Sequence, residues 1–237
     1  SHWEVPFLNT CLEISYTAQG AWTPEMLTAA LAQAATDHAN DLGIGHDAMV
    51  ERCGCLWMLV RSRIAMRELP PPDTAVTVRT WLRKPSPAMS VRDYEFLYQG
   101  RSIGRALQYW VLANAQTRRI ANLRDIDVLW TLPVREPECR ETIRRLVLPE
   151  SLPEAGAWTV TPEEIDDNGH LNNVVYVRHA QRFAPPDTKW IEVIYDRECF
   201  LGETLRLFAK DGCVRGVKSD GSESFRARFQ QSEEESR

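Results

Sequence analysis

Long apolar runs are absent. No stretch of about 18 apolar residues occurs, so a membrane-spanning helix is not expected. A basic excess is absent as well: the formal net charge is −5, which argues against nucleic acid as the main partner. The six cysteines are scattered, and Cys53-Gly54-Cys55 is too tightly spaced for the usual Cys-x-x-Cys zinc or redox motif. Neither a metal nor a cofactor is therefore expected, and the cysteines read as free thiols in a reducing cytoplasm. Gly100-Arg101-Ser102-Ile103-Gly104 spells Gly-x-Ser-x-Gly, but it leads from a tight turn into a strand pattern instead of from a strand into a helix, which disfavours a serine-hydrolase mechanism. Ser1-His2-Trp3-Glu4 has neither the basic nor the apolar region of a signal peptide, and a first residue other than Met reads as a processed or added end.

What is present is ordinary globular material, 43% apolar and 26% charged over 237 residues, enough for one large domain or two smaller ones. Glu233-Glu234-Glu235 reads as part of a disordered acidic tail. Basic residues bunch at Arg118-Arg119, Arg144-Arg145, Arg83-Lys84 and Arg61 with Arg63. Each pair is either solvated surface or part of a docking surface for an acidic macromolecule.

Thr23-Pro24-Glu25 opens a helix, with Thr as N-cap, Pro at the first position and Glu beside the positive end of the dipole. Met26, Leu27, Ala30, Leu31, Ala34, Ala35 and His38 repeat at helical spacing up to Gly43, and the alanines let a sheet wrap closely. His38 on that stripe reads as a packed histidine. Strand patterns follow over 56–66, 74–81, 91–98 and 103–113, the last pair joined by a turn at Gln99-Gly100. Residues 122–160 are punctuated by Pro133, Pro137, Pro149 and Pro153 and read as a linker, with a short charged helix at 138–146. The plan then repeats: a helix from Asn172-Asn173 to before Pro185-Pro186, a strand over 189–200, and strands around hairpin turns at Asp211-Gly212 and Asp220-Gly221. The same element order twice implies duplication and an α+β architecture.

Two stretches carry chemistry. In Asp166-Asp167-Asn168-Gly169-His170, an extended segment would point Asp166, Asn168 and His170 the same way. Asn172 and Asn173 follow at a helix start. A carboxylate, an amide and an imidazole would thus converge beside the positive end of a dipole, as activating a nucleophile and holding an oxyanion require. The plainer reading is a surface turn, which Asp, Asn and Gly favour. The second stretch is Tyr195-Asp196-Arg197-Glu198-Cys199, expected in a strand that would put Glu198 and Cys199 on opposite faces. One reading has Glu198 polarise a water, alone or with His170. The rival is a Cys199-His-Asn arrangement with a covalent acyl intermediate.

With the duplicated layout, the Asp166-x-Asn168-x-His170-x-Asn172-Asn173-x-x-Tyr176 segment and the Tyr195-x-x-Glu198-Cys199 segment resemble the acyl-acyl carrier protein (acyl-ACP) thioesterases, in the bacterial branch related to plant FatA/FatB. Trp57, Thr80-Trp81, Trp110-Val111 and Thr117-Arg118-Arg119 extend the likeness, so that it covers roughly 5–229. Gly169 departs from the family, which often has Gln there, and Asp167 stands where an apolar residue is common. The resemblance implies a double hotdog fold, two units each with a helix wrapped by an antiparallel sheet. It implies an N-terminal hotdog over 1–125 that holds the acyl chain, a linker over 126–157, a catalytic C-terminal hotdog over 158–230 and a tail over 231–237. The implied activity is hydrolysis of the fatty acyl-ACP thioester, with acyl carrier protein as partner; the alternative is an acyl-CoA thioesterase or another hotdog-fold thioester enzyme such as a hydratase. The implied catalytic set is Asp166, Asn168, His170 and Glu198. Met26, Ala30, Trp57 and Met58 are the expected chain-lining residues, each also explicable as core. The oligomeric state is not readable, and a homodimer stays open.

Overall fold

The structure is a computed structural model that describes residues 10–136, 141–166 and 169–232. Its first half runs β1 (Cys11–Thr17), α1 (Pro24–Asp41), α2 (His46–Cys53), β2 (Cys55–Met66), β3 (Ala75–Leu82), β4 (Ser90–Tyr98) and β5 (Arg101–Asn114). Its second runs β6 (Glu154–Thr159), α3 (Asn173–Ala180), β7 (Trp190–Tyr195), β8 (Thr204–Lys210), β9 (Cys213–Val217) and β10 (Glu223–Gln230). The described strands form one antiparallel sheet in the order β1-β3-β4-β5-β2-β7-β10-β9-β8-β6. Read outward from the β2–β7 junction, the two halves have matching orders, so the duplication expected from sequence is present as a continuous sheet.

Local chemistry explains the elements. Thr23 caps α1, its Oγ1 accepting from the Met26 amide at 3.3 Å, with Pro24 in the first turn. Tyr94 and Phe96 of β4 alternate inward and are almost wholly buried. The Gln99-Gly100 and Asp211-Gly212 turns take positive φ at both residues, as two-residue hairpins need. Leu27, Ala30, Leu31 and Ala34 of α1 pack on Val76, Val78 and Phe96, and α3 continues the same core through Val175, Val177 and Ala180. His38 is buried with Nδ1 2.7 Å from Arg92 Nη1, a packed histidine as expected.

Three expectations fail here. The charged helix expected at 138–146 is not formed over its described part, 141–146; residues 137–140 lie outside the described residues. This stretch runs irregularly across the sheet face opposite α1. Ile143 packs against Leu107 and Tyr109, and Leu146, Leu148 and Leu152 pack against Ile194. Its carbonyls have no helical partners and are met by arginines instead: Arg63 at Thr142 O (3.0 Å), Arg83 at Glu141 O (3.0 Å) and Arg226 at Leu146 O (3.0 Å). Arg63 and Arg83, two of the residues read as a possible docking surface, are thereby used internally. The expected linker is also partly regular: a 3-10 turn at Asp127–Trp130 buries Leu129 with Leu112 and Leu123, and β6 crosses the 157/158 boundary. Three elements went unforeseen, β1, α2 and β6.

Candidate active site

The site begins with a turn rather than an extended segment. The Asp166 amide donates to the His170 carbonyl (2.8 Å), the His170 amide returns to Asp166 Oδ1 (2.9 Å), and the Gly169 amide donates to Asp166 O (2.9 Å). An isolated bridge between Ile165 and Leu171 closes its base. These bonds fold the chain back, so the strand-like alternation that was to align Asp166 with His170 does not operate. Gly169 sits at φ +77°, a region that strains any residue with a Cβ, which favours glycine here. Asn168, with Asp167, lies outside the described residues.

Two devices hold this turn against α3. Asn172 is the N-cap as expected, its Oδ1 accepting from the Val174 amide at 2.9 Å. The first-turn amide of Asn173 has no acceptor among the described residues. Before the turn, Thr161 and Glu164 form a capping box around a 3-10 turn, and Glu164 O accepts from the Asn172 amide at 3.3 Å. The buried Glu164 carboxylate accepts from His179 Nε2 (2.7 Å), Trp158 Nε1 (2.9 Å) and the Thr161 amide (3.0 Å), while Trp158 stacks on His179 at 4.1 Å. Burial pushes the Glu164 carboxyl up, but these hydrogen bonds outweigh it and leave it below the ordinary carboxylate value.

Glu198 comes from the far side. β7 ends at Tyr195, earlier than the strand expected through 200, because the amides of Asp196 and Arg197 both turn to the Ser224 carbonyl (2.8 and 3.0 Å). Glu198 and Cys199 therefore lie beyond the ladder, and strand alternation does not separate them. They diverge all the same. Glu198 Oε1 lies 2.8 Å from His170 Nδ1, and Lys218 Nζ holds the Glu198 carbonyl at 2.9 Å. Cys199 is only 1% exposed, with Sγ 3.1 Å from Ser224 Oγ and its amide donating to Tyr176 Oη at 3.2 Å. Burial raises the Cys199 thiol above its ordinary value, although the Ser224 contact opposes this.

Of the expected catalytic residues, the structure thus brings together Asp166, His170 and Glu198. One neighbour was not foreseen: Arg118 Nη1 reaches across from the first half to within 3.6 Å of Glu198 Oε2. In sequence it was one member of a basic pair, and no local pattern marks so distant a contact. The expected chain-lining residues do not form one cluster. Ala30 is fully buried in the main core and Met26 packs against it, whereas Trp57 packs on the group around Leu42, Ile44 and Met49, donating Nε1–H to Ile44 O at 2.8 Å. Met58 is half-buried and belongs to neither group.

Two helix-and-sheet units fused edge to edge, with a histidine–carboxylate pair formed between a helix entry and the end of a central strand, define a double hotdog protein. Within that class the chain is similar to acyl-ACP thioesterases. Residues 15–129 match the family model described as the acyl-ACP thioesterase N-terminal domain. The chloroplastic oleoyl-acyl carrier protein thioesterase 2 of Arabidopsis thaliana is 25% identical over 202 residues, covering 75% of this chain and 54% of the relative. The chloroplastic palmitoyl-acyl carrier protein thioesterase of Gossypium hirsutum is 26% identical over 201 residues, covering 77% and 49%. The chain thus spans about half the length of these plant relatives. Among solved structures, an acyl-ACP thioesterase from Bacteroides thetaiotaomicron superposes with a TM-score of 0.80 at 23% identity, covering 93% of this chain and 97% of that one. The 12:0-ACP thioesterase from Umbellularia californica superposes with a TM-score of 0.76 at 18% identity, covering 94% and 97%.

Proposed function

We propose that this chain hydrolyses the thioester between a fatty acyl group and acyl carrier protein, releasing the free fatty acid. The observation that carries this reading is the 2.8 Å contact between His170 Nδ1 and Glu198 Oε1, made between segments 28 residues apart. Hydrolysis needs a base for water, a proton donor for the leaving thiolate and a stabiliser for the oxyanion. With Nδ1 held by Glu198, His170 keeps Nε2 to take a proton from water as it attacks the acyl carbonyl. Glu198 fixes the ring's orientation and stabilises the imidazolium that forms. His170 then returns the proton to the pantetheine sulfur as the C–S bond breaks. The Asn173 amide at the start of α3 is a candidate donor to the oxyanion. Asn168 is assigned the positioning of a reacting group by its amide, on the strength of the resemblance alone. Asp166 closes the turn that presents His170.

The acyl chain is assigned to the first half, between α1 and the sheet, with Met26 and Ala30 as the lining residues best supported by position. Acyl carrier protein is the proposed partner, supported by the relatives' substrates; the exposed Lys84, Arg119, Arg144 and Arg145 remain for an acidic surface to meet. A cytoplasmic location is proposed on the cysteines, since those described at 11, 53, 55, 199 and 213 are all free thiols. No described helix is long and apolar enough to cross a membrane. Association into a homodimer is a separate proposal, checked by sedimentation. The test of function is a panel of acyl-ACP substrates of graded chain length, with matching acyl-CoAs. Release of free acid from acyl-ACP, lost in His170→Ala, is expected; no turnover of any acyl-ACP would refute the proposal, and preference for acyl-CoA would reassign the partner.

A further inference from the structure

The hairpin loop after β5 holds one arginine in an unusual way. Asn114 Oδ1 accepts from the amides of Gln116 (3.0 Å) and Thr117 (2.8 Å), and Asn114 O accepts from the Arg118 amide at 2.9 Å. The Asn114 amide donates to Arg119 O at 2.9 Å, and the Ala115 amide ties the loop to Gly54 O at 2.8 Å. Inside this frame Arg118 adopts φ +59°, a left-handed conformation that glycine or asparagine takes with less strain. A side chain kept in such a place points to a use for it.

Its contacts show where the guanidinium is directed. Arg118 Nη1 is shielded from solvent and makes no hydrogen bond among the described residues; its charged neighbour is Glu198 Oε2 at 3.6 Å. Glu198 Oε1 is already engaged by His170, so the two carboxylate oxygens face two different partners, one from each half of the chain. A carboxylate gripped on one oxygen can still swing about its terminal bond, whereas a cation at the other oxygen restricts that rotation. Arg119 beside it is exposed, so the two members of this basic pair are not equivalent.

We infer that Arg118 is a positioning residue for Glu198: the first half of the chain supplies the cation that orients the carboxylate on which His170 depends. The inference rests on the proposed roles of His170 and Glu198. It makes the active site a joint product of both halves, although the His170 and Glu198 segments belong to the second.

Steady-state kinetics of Arg118→Gln on acyl-ACP test this. The expected result is a fall in kcat of about tenfold to a hundredfold with KM changed less than about twofold, since misoriented chemistry costs rate more than binding. Guanidinium ion at non-denaturing concentration should restore part of the kcat of Arg118→Ala, while sodium chloride at equal ionic strength should not. Arg124→Ala, at an exposed arginine with no assigned role, should leave kcat within about twofold of the parent. If Arg118→Gln fails to fold by thermal melting, Arg118→Lys, which keeps the charge on a shorter reach, takes its place with an intermediate kcat expected. An unchanged kcat with a raised, salt-sensitive KM would make Arg118 a docking residue and overturn the inference. Full activity in Glu198→Gln would instead remove the functional reading beneath it, so the two failures are distinguishable.

Discussion

Replacing Cys199 with alanine separates two ways of breaking the thioester. In a covalent route the thiol must become a thiolate within reach of His170. Here the thiol is 1% exposed, its recorded contact is Ser224 Oγ at 3.1 Å, and burial raises it above the ordinary 9.0. Burial thus works against the thiolate that a covalent route needs. The imidazole, meanwhile, is held by Glu198 through Nδ1. Cys199→Ala should therefore retain kcat/KM within about threefold of the parent. The structural cost is the loss of one sulfur from the core and one weak hydrogen bond; Ser224 Oγ keeps its bond to Arg197 O at 2.7 Å. That amounts to about 1 kcal/mol, or a fall in Tm of about 2–4 °C for a chain of this length. The assay is initial-rate hydrolysis of acyl-ACP beside a thermal melt, with mass spectrometry of enzyme quenched during turnover. A loss of activity beyond about a hundredfold with an intact melt, or an acyl adduct on Cys199, would refute the water-attack mechanism.

Glu198→Gln should lower kcat by about a hundredfold or more while leaving Tm nearly unchanged, because a half-buried carboxylate at the site contributes little to stability; stopped-time acid release measures it. Glu164 is held below its ordinary 4.5, so its ionised form contributes stability that is present above that value and lost as pH falls through the depressed one. Glu164→Gln should accordingly melt lower at neutral pH, yet show a shallower loss of Tm on acidification below 4.5, read by melts across pH. Ala30→Phe, at a fully buried position against the sheet, should shift released acids to shorter chains at a cost of about 1–3 kcal/mol from overpacking; an unchanged product profile by gas chromatography would remove α1 from the acyl site.

Much of the fold was legible because local chemistry and periodicity agreed. Thr23-Pro24-Glu25 starts α1, alternation in β4 and β10 buries one face, and Asp-Gly and Gln-Gly pairs make the hairpins. The elements that escaped notice are those whose burial is slight. β1 and β6 are the two edges of the sheet and are half-buried or exposed along most of their length, so neither carries a strong apolar pattern. α2 buries only Met49. The segment after Glu141 looked helical from its charges, but its carbonyls are satisfied by arginines on distant strands, a partnership no local window contains.

By itself the sequence determined two helix-and-strand repeats, the cap at Asn172 and the two motif segments, because each depends on residues within one or two turns of one another. The tertiary structure alone decided that Glu198 meets His170 beyond the end of β7, that Cys199 turns into the core, and that Arg118 arrives from the other half. Those contacts span 25 to 80 residues and follow from how the two halves of the sheet join at β2 and β7, which sequence spacing does not encode.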